Sequence, residues 1–310
     1  MSEKIVCRVL TGPTGSGKSE LAFRLALETG WEIFCMDSMQ IYRRMDIGTA
    51  KPTAREQEAV PHHMLDICEP VDAYSVSQYI TDALEKVEER HRGGKEVLFV
   101  GGTGLYLEGM VHGMSMGFRP ADEKLREELR KLSESPEGLL ELDERLRRVD
   151  PRTADKLPMN DIRRRIRAIE VSESTGVPFS AQEKKSGGDS RFRWVIASTS
   201  MERNMLYDRI NRRVDRMIRE GLDGEVKRLM QEGVPEGAQS MQAIGYKEMI
   251  PYLRGEWTKE KAADEIRKGT RHYAKRQMTF LKRLEGIRYI CPDEEQAQAE
   301  LLQYFTEIGE

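Results

Sequence analysis

Gly12, Pro13, Thr14, Gly15, Ser16, Gly17, Lys18 and Ser19 form one unbroken run with the G-x-x-x-x-G-K-[ST] spacing of a phosphate-binding loop. The chemistry this spacing permits is the grip of a di- or triphosphate. The glycines let successive backbone N–H groups turn inward around an anion, Lys18 reaches the outer phosphate, and Ser19 can ligate Mg²⁺. A second candidate is Asp37, which ends the apolar run Ile33-Phe34-Cys35-Met36 and is followed by Ser38, Met39 and Gln40. A carboxylate there can serve as a general base beside the phosphate compound, or as a helix cap or outer magnesium partner. Gly101-Gly102-Thr103-Gly104 makes a second glycine loop. It reads either as a tight turn or, with the Thr103 hydroxyl between glycines, as the border of a substrate channel. His62 and His63 have no third ligand at metal-binding spacing and are expected to be structural.

These residues need elements to hold them. Ile5–Leu10, Glu32–Met36, Glu96–Val100 and Phe192–Ala197 are β-rich runs, and Glu20–Glu28 and Ser75–Arg92 are helical in period. Alternation of this kind predicts an α/β fold with a P-loop NTPase-like, doubly wound parallel sheet. The carboxyl ends of neighbouring strands then open on one edge and bring Asp37 and the second glycine loop to the phosphate. From about Met114 the chain becomes charged and helix-favouring, so three segments are expected. Residues 1–113 are the first part of the core, 114–190 an all-helical insertion, and 191–310 the rest of the core with helical C-terminal elements. Thr199 and Glu202 form a candidate capping box for a helix that carries Arg209, Arg212, Arg213 and Arg216. One of these four could neutralise a departing diphosphate, and the sequence does not distinguish among them.

Total charge is −3, yet it is segregated. Arg267 to Arg283 holds seven Lys or Arg and no acid, whereas Asp293 to Glu310 holds six acids and no base. Local potential governs polyanion binding, so the basic helix suits nucleic acid. In Asn160 to Glu170, Asn160 can cap a helix whose buried stripe is Ile162, Ile166 and Ile169, leaving Arg163, Arg164 and Arg167 on the exposed side for phosphate contacts. Tyr273 and Phe280 read as core. The four cysteines are scattered, which argues against a zinc module or disulfide framework. No basic-then-apolar leader opens the chain and no apolar run is long enough to cross a bilayer, so a cytoplasmic protein is expected.

Taken together, Gly12–Ser19, Asp37-Ser38-Met39-Gln40-Ile41-Tyr42, Met45 to Pro52, Gly101 to Leu107, Asn160-Asp161 with its arginines, Gln242 to Lys247 and Ala274-Lys275-Arg276-Gln277 resemble the bacterial tRNA dimethylallyltransferases, also called tRNA isopentenyltransferases. The similarity runs from the first strand to near Arg283. It implies transfer of a dimethylallyl group from dimethylallyl diphosphate to N6 of the adenine 3′ of the anticodon. Gly12 to Ser19 would then hold the donor, with Mg²⁺ at Ser19. Lys18 and, by family similarity, Arg209 would stabilise the leaving diphosphate, with Asp37 as base and Thr103 beside it. The resemblance also implies tRNA contacts at Asp37, Ser38, Met39, Gln40, Thr103, Arg126, Arg163, Arg164, Arg165, Ile166, Arg167, Gln242, Ala243, Ile244, Gly245, Tyr246 and Lys247. The expected partners are tRNA and dimethylallyl diphosphate. No membrane or obligate protein partner is expected, and a monomer is the default. Two other classes fit the phosphate loop: a nucleoside or nucleotide kinase with an arginine-bearing lid, and an RNA-associated NTPase switch. Chain length and the basic C-terminal helix speak against the first. The lack of an acid after Val97–Val100 speaks against the second.

Overall fold

The apolar run after Lys4 becomes the central strand of a parallel sheet because both its faces can be buried. A computed structural model describes residues 4–113, 122–182 and 188–308. Its strands are β1 (Ile5–Thr11), β2 (Glu32–Cys35), β3 (His62–His63), β4 (Val97–Val100), β5 (Phe192–Thr199) and β6 (Arg288–Ile290), in the order β3-β2-β4-β1-β5-β6 with every pair parallel. The α/β class and the strands read from the sequence are those observed. β3 and β6 were not anticipated. Each is an edge strand too short to carry a periodic signal, and each exists because a neighbouring strand offers it a hydrogen-bonding edge.

The helices are α1 (Lys18–Thr29), α2 (Ala54–Ala59), α3 (Val76–Arg92), α4 (Gly104–His112), α5 (Glu123–Leu132), α6 (Pro136–Val149), α7 (Pro151–Lys156), α8 (Ile162–Thr175), α9 (Phe179–Gln182), α10 (Arg203–Arg219), α11 (Leu222–Gln231), α12 (Tyr246–Leu253), α13 (Lys259–Leu281) and α14 (Ala297–Glu307). Ser75 caps α3 through a capping box with Gln78. The box expected from Thr199 and Glu202 does not form. Thr199 is the last residue of β5, its hydroxyl lies 2.6 Å from that of Ser16, and Glu202 begins α10 without a side-chain cap. Helix α8 is capped by Asp161, one residue after the expected Asn160.

The chain divides into two compact units, one made of Met1–Glu108 with Ser190–Glu310 and the other of Gly109–Asp189. In the first, Leu21 and Leu25 of α1 and Leu301 and Phe305 of α14 pack on Leu10, Ile33 and Leu98 of the sheet. In the second, Leu129, Leu142, Leu146, Ile166 and Ile169 form a separate helical core. No described helix is long and apolar enough to cross a membrane.

Candidate active site

β1 ends at Thr11, and the chain then turns through Gly12, Gly15 and Gly17 at φ values of 147°, 81° and 87° before α1 begins. These left-handed values are why glycine is needed at each position. α1 starts at Gly17 without a side-chain cap, so its first N–H groups point into the loop mouth with no side chain to satisfy them. Such an end is a ready anion site. The Lys18 ammonium folds back to the Pro13 carbonyl at 3.4 Å, and Ser19 is exposed at the mouth.

Asp37 follows β2, which β4 separates from β1 in the sheet, and its Oδ1 accepts the Met39 N–H at 2.9 Å. The second glycine loop lies against it. Ser38 N–H donates to the Thr103 hydroxyl at 3.1 Å, and Thr103 N–H donates to the Met36 carbonyl at 3.3 Å. The fit admits nothing but glycine at position 101, since a Cβ there would stand 2.0 Å from the Met36 carbonyl oxygen. Gln40 holds the following loop, donating to Thr49 and Ala50 carbonyls at 3.0 and 3.2 Å while accepting from the Cys35 thiol. Helix α13 closes this side. A Cβ on Gly104 would run into the Phe280 ring at 2.6 Å, and the Tyr273 hydroxyl near Thr103 is pushed up to about 12 by burial and then by the Asp37 charge. Tyr273 and Phe280 are half-buried and border the site, where the sequence had suggested plain core.

Two cations share the pit with Asp37. The Lys18 pKa is brought down to about 8, first by burial and then by the neighbouring Arg213, with Asp37 acting in the opposite direction. Burial likewise lowers Arg213, again opposed by Asp37. Arg213 donates to the Thr49 carbonyl at 3.3 Å. Arg209, four residues earlier on the same face of α10, lies over Gly17 and is paired with Asp293. Two cations held against one carboxylate leave a positive surplus, which an anionic ligand would relieve.

The segment Gln242 to Lys247 is divided by burial. Gln242 and Lys247 are exposed, whereas Ala243, Gly245 and Tyr246 are buried and Ile244 is half-buried. The Tyr246 hydroxyl donates to Glu225 Oε1 at 2.5 Å. That same carboxylate accepts backbone N–H groups from Asp46, Ile47 and Gly48 at 2.9, 2.9 and 3.1 Å. Glu225 therefore joins the two motifs at Met45–Pro52 and Gln242–Lys247. Sequence reasoning missed it, as an acid in an ordinary amphipathic helix gives no local sign of such partners.

In the helical unit, Arg163 and Arg164 are exposed on α8, and Arg164 is 3.2 Å from Asp161. Arg126 and Arg167 both reach Glu170, at 2.9 and 3.0 Å. Arg165 and Ile166 face inward. Arg165 donates to the Pro158 and Leu157 carbonyls and pairs with Asp143. His63 bonds Glu32 at 2.7 Å, alongside Arg90, so the histidine pair is an edge-strand fastening.

The residues at the loop mouth fit magnesium in one way. Among the described residues no three His, Cys, Asp or Glu come together, so an all-protein cage is absent. The exposed Ser19 hydroxyl at the uncapped start of α1 suits a cation that takes its other ligands from water and phosphate oxygens.

A parallel sheet with a glycine cradle after its first strand and a carboxylate after the next defines a P-loop α/β group-transfer enzyme. A family model described as IPP transferase matches residues 40–284. The tRNA dimethylallyltransferase of Thermotoga neapolitana is 47% identical over 278 residues, 90% of each chain. That of Caldanaerobacter subterraneus is 42% identical over 302 residues, 96% of each. Among solved structures, the full-length tRNA isopentenylpyrophosphate transferase of Bacillus halodurans superposes with a TM-score of 0.71 at 38% identity, covering 99% of this chain and 96% of that one. A eukaryotic dimethylallyltransferase acting on tRNA gives 0.77 at 27% identity, covering 97% and 78%. The chain belongs to the IPP transferase family, the tRNA dimethylallyltransferases.

Proposed function

We propose that this enzyme moves the dimethylallyl group of dimethylallyl diphosphate to N6 of the adenine 3′ of the anticodon and releases diphosphate. The observation that carries the site assignment is the meeting of Lys18, after β1, and Asp37, after β2, at the carboxyl edge of the sheet with Arg213 of α10. Gly12 to Ser19 hold the donor diphosphate through backbone N–H groups and the Lys18 ammonium. The allylic C–O bond breaks as its electron pair passes to the diphosphate, whose growing charge meets Lys18 and the α10 arginines. The adenine N6 lone pair forms the new bond to carbon, and Asp37 takes the proton that nitrogen sheds. The adenine amine is a weak nucleophile because its lone pair is delocalised, so a hydrogen bond to Asp37 sharpens it. Thr103 fixes Ser38 and hence the segment that bears Asp37. The target base must leave the anticodon-loop stack to reach this carboxylate. Mg²⁺ held by Ser19 and the donor's own oxygens would supply further charge neutralisation.

Incubating the protein with unmodified tRNA, Mg²⁺ and either labelled dimethylallyl diphosphate or γ-labelled ATP tests the reading. Label on tRNA from the prenyl donor is the expected result. Phosphate transfer without an isoprenoid adduct would instead make the protein a kinase.

Affinity for the donor should depend on pH through Lys18. Its proton in the free enzyme is lost as pH rises through about 8, and bound diphosphate draws the pKa back up. Binding is thus flat below that pH and weakens above it, by up to about tenfold per pH unit. Lys18→Arg should remove this dependence, because a guanidinium stays charged. Calorimetric titration at several pH values checks both.

The exposed arginines of α8 are assigned to the tRNA backbone. Arg163→Ala with Arg164→Ala should raise the KM for tRNA about tenfold at low salt and flatten its salt dependence by roughly one unit of log–log slope per arginine. The donor KM should not move. An unchanged tRNA KM would return these side chains to a solvated surface.

A further inference from the structure

We infer that Gln277 of α13 is a positioning residue that sets the distance between the donor cradle and the loop beside Asp37. Its side-chain amide is 7% exposed and uses both ends. Oε1 accepts the backbone N–H of Thr14, inside the phosphate loop, at 2.8 Å. Nε2 donates to the carbonyl of Gly102, in the second glycine loop, at 2.8 Å. The two loops are also close in their own right, since a Cβ built on Gly102 would stand 3.0 Å from the Gly12 carbonyl oxygen and 2.1 Å from Gln277 Nε2. From Gly102 the linkage runs on through Thr103 to Ser38, and so to Asp37.

One amide thus ties the element that holds the leaving group to the element that holds the base. It is hard to replace. A glutamate has no proton to donate to Gly102 when ionised, an asparagine is one methylene too short, and an apolar isostere makes neither bond. Among the described residues no other side-chain hydrogen bond joins the phosphate loop directly to the second glycine loop; the Ser16 to Thr199 contact leads to β5, and the Lys18 to Pro13 contact stays within the phosphate loop. The role is therefore geometric. Gln277 bonds the backbone of the two loops, and acts by holding the reacting groups at attack distance.

This assignment rests on the transfer reaction proposed above, and the wild-type enzyme run in parallel keeps the two separable. A wild type that prenylates no tRNA overturns the reaction and not the clamp. With wild-type activity in hand, Gln277→Met removes both hydrogen bonds while keeping side-chain volume. The expected result is a kcat lowered about 10- to 100-fold, as loss of alignment produces, with donor Kd by calorimetry within about threefold of wild type by the same reasoning that alignment is not binding. Circular dichroism should report an unchanged fold. Gln277→Glu gives a readout that packing alone would not move. Its activity relative to wild type should rise as pH falls from about 8 toward 5.5, where a carboxyl with burial-raised pKa regains the proton that Gly102 requires. A kcat within about threefold of wild type, a kcat loss matched by the fraction unfolded, a donor Kd weakened in the same proportion as kcat, or a pH-independent Gln277→Glu ratio would each overturn the assignment.

Discussion

Asp37→Ala is expected to cut prenyl transfer by about 10²- to 10⁴-fold, the range for a positioned proton acceptor, while the donor still binds. The sign of the binding effect follows from the charges around the residue. Asp37 faces Lys18 and Arg213, and its negative charge also opposes an incoming diphosphate. Removing it should leave donor affinity at neutral pH unchanged or slightly tighter. Asp37→Asn sharpens the result, because the amide oxygen can still accept the Met39 N–H that Oδ1 now accepts at 2.9 Å but cannot take a proton. Equal losses in both variants, with calorimetry giving intact donor binding, assign the loss to proton transfer. Weakened donor binding in Asp37→Asn would move the residue to a structural or metal-supporting role.

Arg213→Ala carries the second large effect. Its guanidinium is half-buried beside Lys18 and Asp37, and is fixed by the Thr49 carbonyl, which Gln40 also holds. A cation so placed is already oriented when charge develops on the departing diphosphate, and its removal should lower kcat by about 10²- to 10³-fold. Arg209, which the family resemblance favours, lies over Gly17 and is engaged with Asp293. Arg209→Ala is expected to raise the donor KM more than it lowers kcat, since from its place over Gly17 it would meet a diphosphate from the outer side in ground and transition states alike. Single-turnover rates at saturating donor separate the two. A mild Arg213→Ala and an inactive Arg209→Ala would exchange the roles. Arg213→Lys tests whether charge alone suffices, because an ammonium cannot reproduce the planar fork.

Glu225 gives these predictions their scaffold. By gathering three backbone N–H groups of Asp46 to Gly48 and the Tyr246 hydroxyl, it fixes the loop whose Thr49 carbonyl holds Arg213. Lys51 fastens the same loop from below through the Tyr42 carbonyl, Asp46 and Asp66. A loop held by buried charge on both sides keeps the carbonyl that orients Arg213 in place.

The sequence by itself determined the phosphate cradle, four of the strands and the position of Asp37 at a strand end. All of these follow from local rules: glycine at left-handed backbone, apolar runs of strand length, and the parallel sheet's common open edge. It also marked α10 as the arginine-bearing helix. Only the tertiary structure decided which arginine enters the pit, because Arg209 and Arg213 share one helix face and differ only in what lies opposite each. It alone turned Arg165 and Tyr246 inward, each beside an exposed cation, Arg164 and Lys247, and it alone made His62–His63 and Arg288–Ile290 into edge strands. Gln277 bonds an N–H that lies 263 residues away in the chain. No periodicity or motif encodes such a pairing, since hydrogen bonds of that range exist only after packing has brought their partners together.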